Sequence, residues 1–213
     1  MTCPLAELRA ERKAASHLAL ADAALRLARE RGFDGFTIDD LARSAGTSRR
    51  TFFNHFLSKE DAVVEVARRQ IGRVLALVAA DADLGDGTQV VDRAIRALLE
   101  PETVATLRAL VDLTVPHPAL VPALQAVQAE AIERFAQLAS VFLADTAPVY
   151  SYAFPGAVVT TVGAVYARRL LLVEIDGPGD GTDRAPVVSL TGLVDQLLAL
   201  LPPLVTAAGR TTS

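Results

Sequence analysis

The sequence predicts an all-α protein of about nine helices, with a three-helix unit at the N-terminus, a connecting helix and a larger C-terminal helical domain. Apolar residues recur at helical spacing along nearly the whole chain, and period-two alternation is hard to find. Breakers cut the chain into helix-length pieces: Gly32, Gly46, the Gly85-Asp86-Gly87 run, Pro101, Pro116, Pro118, Pro148 and the stretch 176–186. At 213 residues and 51% hydrophobic composition, the chain can bury a substantial core.

The first element is expected over about 8–31. Leu18, Ala21, Leu25 and Ala28, with Leu20, Ala24 and Leu27 beside them, form a broad apolar stripe that Gly32 ends, and Gly35 keeps the following connection tight. Thr37 then reads as an N-cap with Asp40 at the capping-box position, and Asp39 and Asp40 complement the positive end of the helix dipole. That helix, 38–45, is closed by Gly46. Thr47 or Ser48 caps the next, which runs to residue 55 or 56, and Ser58-Lys59-Glu60-Asp61 opens a helix over about 59–80. Beyond residue 81, helices are expected at 88–99, 102–113, 118–143, 154–175 and 186–201. Two domains follow from the break, 1–80 and 81–213.

Some classes of protein fit poorly. Charges occupy the N-terminus where a secretory leader would be apolar, and Cys3 is the only cysteine, so a reducing cytoplasmic location is expected. Residues 146–167 carry no charge and are long enough to span a bilayer. They also contain Pro148, Ser151, Pro155, Gly156, three threonines and three tyrosines, so a buried, interface-forming helix is expected and a membrane partner is not. The Gly-rich stretch 176–186 reads as a flexible surface loop, lacking the preceding strand and Gly-Lys-Ser/Thr ending of a nucleotide loop. His17, His55 and His117 are widely separated without metal-ligand partners at helical spacing, and no Gly-x-Ser-x-Gly elbow occurs. No metal, cofactor or enzymatic activity is expected.

Charge is distributed unevenly. Residues 1–75 hold 13 Lys and Arg against 10 Asp and Glu, net +3, and residues 76–213 hold 8 against 15, net −7, which together give the −4 of the chain. A polyanion would meet the N-terminal part first. There, two short helices joined by Ala45-Gly46-Thr47 have the form of a helix-turn-helix. Phe52 and Phe56, four apart, share the face that packs inward, leaving Arg49, Arg50, Phe53 and Asn54 as one strip able to enter a major groove. Arginine can bond guanine O6 and N7 as a bidentate pair and asparagine can do the same to adenine, whereas Thr37, Thr51 and Lys59 suit phosphates.

The run G-F-x-x-F-T-I-x-x-L-A-x-x-A-G-T-S-x-x-T-F-F-x-H-F-x-x-K, Gly32 to Lys59, resembles the DNA-binding domain of the tetracycline-repressor (TetR) family nearly position for position. The form SRRTFFNHF resembles a variety common among such regulators in actinobacteria. The resemblance implies that Thr37, Thr51, His55 and Lys59 contact phosphates and that Arg49, Arg50 and Asn54 lie at or near bases. Phe53 stands where the family commonly has tyrosine and cannot donate that hydroxyl; it is expected to touch a thymine methyl or sugar. Thr47, where the family prefers valine, is a second cap or a phosphate contact beside Ser48.

For the remainder the resemblance implies a domain that binds a small-molecule effector and pairs two chains, hence a homodimeric repressor of an inverted-repeat DNA operator. Gly156, Ala157, Thr160, Thr161, Gly163, Ala164 and Ala167 would permit close helix contact, and the last helix is rich in leucine, so the last two helices are the expected dimer interface. Arg108, His117, Gln125, Gln128, Phe142, Tyr150, Tyr152, Thr161 and Tyr166 are polar or aromatic groups within otherwise apolar helices, the candidate lining for a mainly apolar effector. The alternatives are an activator of the same kind, or a small-molecule carrier that keeps the helix-turn-helix as scaffold.

Overall fold

Helix α1 (Pro4–Arg31) buries Leu20, Ala21, Ala24, Leu27 and Ala28 of the expected stripe, whereas Leu18 is exposed. The computed structural model describes residues 4–81, 87–142, 149–177 and 185–200. Gly32 ends α1 at φ 74°, ψ 160°, a conformation open essentially to glycine alone. A single 3-10 turn, Phe33–Gly35, then drives Phe33 and Phe36 into the interior. Helix α2 (Ile38–Ser44) opens with the expected capping box: the Asp40 N–H donates to Thr37 Oγ1 at 3.1 Å, and Asp40 Oδ2 accepts from the Thr37 N–H at 3.0 Å and from its hydroxyl at 2.7 Å. Those bonds from Thr37 hold the Asp40 carboxyl down at a pKa of about 2. Helices α3 (Arg49–Phe53) and α4 (Lys59–Asp81) follow.

The contacts divide the chain into two units. One comprises Met1–Ala67 and Ala109–Gln125, the other Arg68–Arg108 and Ala126–Ser213. The helix-turn-helix unit thus takes in residues 109–125, which a boundary at residue 80 assigns to the other domain. His117 accounts for part of that: its Nε2 accepts from the Phe33 N–H at 3.0 Å and its Nδ1 meets Asp34 Oδ2 at 3.1 Å. Because Nε2 accepts, Nδ1 carries the hydrogen.

The second unit is built from parts of α4, α6 (Pro101–Thr114) and α7 (Leu120–Phe142) with α5 (Gly87–Leu98), α8 (Val149–Tyr166) and later elements. Its core gathers Val74, Ile95, Leu98, Leu99, Val104, Phe154, Val158, Val162, Val165, Leu172, Leu193, Val194 and Leu197. The expected helix 154–175 needs correction. It begins earlier, at Val149, which puts Pro155 inside it, and it stops at Tyr166. Arg168, at φ 53°, takes the left-handed position usually filled by glycine; the Arg168 N–H donates to Val165 O and the Arg169 N–H to Ala164 O, closing the helix. The chain then forms a two-residue strand, β1 (Leu171–Leu172), and a short helix, α9 (Val173–Asp176). Strand β1 pairs in parallel with β2 (Val187–Val188), so the final helix α10 (Leu190–Leu198) starts later than expected, capped by Ser189 Oγ accepting from the Gly192 N–H at 3.0 Å. Among the described residues the regular elements are ten α-helices, the single 3-10 turn and this pair of two-residue strands. None of those helices is long and apolar enough to cross a membrane. Most of the 176–186 stretch and the far end of the expected last helix lie outside the described residues.

Candidate nucleic-acid interface

The turn between α2 and α3 is made by backbone bonds that the sequence anticipates. Ala45 ends α2, Gly46 sits at φ 64°, the Gly46 N–H donates to Arg43 O at 3.1 Å, and the Thr47 N–H reaches back to Ala42 O at 2.8 Å. With the Thr47 N–H closing α2, Ser48 is the cap of α3: its Oγ accepts from the Thr51 N–H at 3.1 Å and lies 2.9 Å from the Thr51 hydroxyl. Phe52 is fully buried and Phe56 nearly so, with the His17 ring of α1 stacked on Phe56 at 4.5 Å. Phe52 thus anchors the inward side of α3 in the core, Phe56 just beyond the helix meets α1 through His17, and Arg49, Arg50, Phe53 and Asn54 are left exposed.

The two arginines differ. Arg49 Nη1 donates to Asp39 Oδ2 at 3.1 Å, and its guanidinium carbon lies 5.5 Å from the centre of the Phe53 ring. Arg50 is exposed and has no ion-pair partner among the described residues. In the sequence, the place of Asp39 in the first turn of α2 is accounted for by the helix dipole alone, and nothing there signals its pairing with Arg49.

Lys59 is engaged within the unit. Its Nζ donates to Phe33 O at 2.6 Å and Phe36 O at 2.9 Å, and sits over both rings at 4.3 and 4.6 Å. Two of its three N–H groups thus fasten the α1–α2 connection rather than face outward. The cause is local: an ammonium half-covered by the protein needs acceptors, and the two carbonyls and ring faces supply them. His55 is half-buried, 5.5 Å from His17, and its pKa is lowered from 6.5 mainly by burial, then by the charges of His17 and Lys13. What it offers a phosphate at neutral pH is one neutral N–H.

The sequence model for bacterial regulatory proteins of the tetR family matches residues 20–66, which span the second half of α1, the whole helix-turn-helix and the start of α4. The N-terminal domain is that of the TetR family. The fold of the whole chain agrees with this. It is similar to a transcriptional regulator from Rhodococcus sp. Rha1 at 16% identity, covering 92% of this chain and 98% of that one, with a TM-score of 0.55. A protein from Mesorhizobium loti MAFF303099 described as a TetR-family transcriptional regulator gives 17% identity, 92% and 96% coverage and a TM-score of 0.53. The fatty acid degradation regulator FadR from Bacillus halodurans gives 15%, 86% and 93%, and 0.50. At such identities the likeness is one of fold. No curated protein sequence matches the chain.

Outside the TetR domain, the effector candidates that are described differ in their surroundings. Arg108 is buried, but its guanidinium is taken: Nε and Nη2 donate to Val165 O at 3.2 and 3.1 Å, and Nη1 and Nη2 to the two carboxylate oxygens of Asp176 at 2.6 and 2.9 Å. Tyr166 donates to Leu98 O at 2.7 Å, and burial pushes its pKa up. His117 and Gln125 belong to the helix-turn-helix unit, His117 held by Phe33 and Asp34. Gln128 and Tyr152 are exposed, and Thr161 is half-buried. The side chains of Phe142 and Tyr150 lie outside the described residues. A surface depression of the second unit is lined instead by Thr88, Gln89, Asp92, Arg93 and Leu198. Among the described residues no three His, Cys, Asp or Glu side chains are placed to hold a metal.

Proposed function

We propose that the protein is a ligand-responsive homodimeric transcriptional regulator, a repressor, that binds an inverted-repeat operator through α3. One observation carries the reading: a capped, glycine-turned helix-turn-helix whose outward strip is Arg49, Arg50, Phe53 and Asn54, all exposed, on a face whose inward side is locked by Phe52 and Phe56. The excess of basic residues in the N-terminal part of an acidic chain favours the same partner. Pairing through α8 and α10 is supported by the small residues of α8; among the described residues nothing lies within 4 Å of where a side chain at Gly156 would begin, which leaves room for a close helix neighbour. Two chains would set their α3 helices in successive major grooves, about 34 Å apart. An effector that weakens operator binding about 100-fold must favour the DNA-incompetent arrangement by about 2.7 kcal/mol. With that activity, the protein acts in the cytoplasm on the nucleoid.

The test is binding of the full chain to its own upstream DNA at physiological salt, where nonspecific contact is weak. Tight, sequence-dependent binding that disappears in the Arg49→Ala/Arg50→Ala protein, with its helix content unchanged, is the expected result. Equal affinity for upstream and scrambled duplexes would refute the reading and leave a carrier with an idle helix-turn-helix.

A further inference from the structure

We propose that Asp39 and Phe53 are positioning residues that hold Arg49 as the base reader of α3, leaving Arg50 as a phosphate contact. This rests on the DNA-binding reading above. Arg49 is constrained from two sides, by the Asp39 carboxylate at 3.1 Å and by the Phe53 ring 5.5 Å beneath its guanidinium. Asp39 engages an Nη1 hydrogen, and the edge formed by Nε–H and Nη2–H remains, two parallel donors of the kind that match guanine O6 and N7.

Stability does not account for the pair, because both side chains are more than half exposed, at 57% and 54%, and exposed ion pairs contribute little. Affinity for phosphate does not account for it either, since a carboxylate beside a polyanion repels it. A carboxylate tolerated there earns its place by restricting the long arginine to one direction before DNA arrives. Phe53 serves the same end. The phenyl ring lacks the hydroxyl that the resemblance leads one to expect and presents a half-exposed, 49% accessible face on which a planar guanidinium can lie. Arg50, one residue on, has neither restraint, and a mobile cation suits the diffuse field of phosphates.

The experiment selects preferred duplexes from a randomised pool with the full wild-type chain, then measures affinities for the selected repeat and all its single-base-pair variants across a salt series. Arg49→Ala should abolish discrimination at one base pair of each half-site, a loss of about 5-fold to about 150-fold. Asp39→Ala and Phe53→Leu should each lower discrimination at that same base pair by about threefold or more, with no further loss when combined with Arg49→Ala, and Asp39→Asn should fall between. Arg50→Ala should leave base preference intact and reduce the slope of log K against log salt by about 1. If Asp39→Ala tightens binding to every duplex alike and leaves base preference unchanged, the pair is incidental and the inference is overturned. A wild-type chain that selects no sequence at all would overturn the DNA-binding reading, and the inference with it; that failure is seen in the wild type rather than in the variants.

Discussion

Replacing Lys59 by Met separates two roles for this residue, a fastener of the fold or a hand for phosphate. In the structure Nζ makes hydrogen bonds of 2.6 and 2.9 Å to Phe33 O and Phe36 O and lies 4.3 and 4.6 Å from the two ring centres. Hydrogen bonds to a charged group contribute about 1.5 to 3 kcal/mol each, and each cation–π contact at a partly exposed site about 0.5 to 1 kcal/mol. The gross loss is therefore about 4 to 8 kcal/mol. It is offset because the ammonium no longer has to be desolvated, because the methionine stem still packs on the rings, and because water can reach the freed carbonyls. A net loss of about 2 to 3 kcal/mol is expected, which for a chain of 213 residues lowers Tm by about 4 to 12 °C. Thermal unfolding followed by circular dichroism in the absence of DNA measures this directly. A Tm within about 2 °C of wild type would show that the carbonyl contacts do not hold the α1–α2 connection and would return Lys59 to the DNA surface.

Further outcomes follow from other sites. Asp176→Ala leaves the Arg108 guanidinium buried with only Val165 O, and should cost about 2 to 4 kcal/mol in urea unfolding; an unchanged midpoint would mean that Arg108 finds water or another acceptor. Gly46→Ala forces φ 64° on a side chain that would meet nothing within 4 Å among the described residues, so the cost is conformational alone, about 1 kcal/mol, whereas Gly32→Ala demands φ 74° with ψ 160°, a region essentially restricted to glycine, and should cost about 2 to 3 kcal/mol; the reverse order in denaturant midpoints would contradict this account. His55 has a folded pKa below 6.5, so just under that pH the unfolded chain binds more protons. Its contribution is present in full above about pH 6.5 and is lost as pH falls through the folded value, so His55→Gln should flatten the decline of Tm between pH 7 and pH 5. Parallel declines in the two proteins would rule that out.

Where a structural feature is made within three to six residues, the sequence could be read. Thr37 with Asp40, Gly46 with the backbone around it, and the cap before α3 are all hydrogen-bond chemistry at fixed short spacing, and the structure holds each of them. The strip Arg49, Arg50, Phe53 and Asn54 follows from helical geometry once Phe52 and Phe56 are assigned inward. Even the choice between Thr47 and Ser48 as cap is local, decided when the Thr47 N–H is taken by Ala42 O.

The misplaced end of α8 marks where that legibility stops. No glycine or proline signals the stop after Tyr166; Arg168 adopts the left-handed position because β1 must leave to pair with β2, a contact between residues 16 apart in the chain, Leu171 with Val187. Arg108 and Tyr166, polar groups in apolar helices, are equally good candidates for a ligand or for internal bonds, and only their partners in space distinguish the two.

By itself the sequence determined an all-α chain, its helix-turn-helix and the side chains that helix α3 turns outward, because caps, turns and helical faces are set by neighbours a few residues away. The tertiary structure decided how the long polar and charged side chains are engaged: Lys59 with Phe33 and Phe36, Arg108 with Asp176, His117 with Phe33 and Asp34, and Arg49 with Asp39. Long charged side chains reach several ångströms from the backbone, so their partners depend on which distant segments packing brings within that reach.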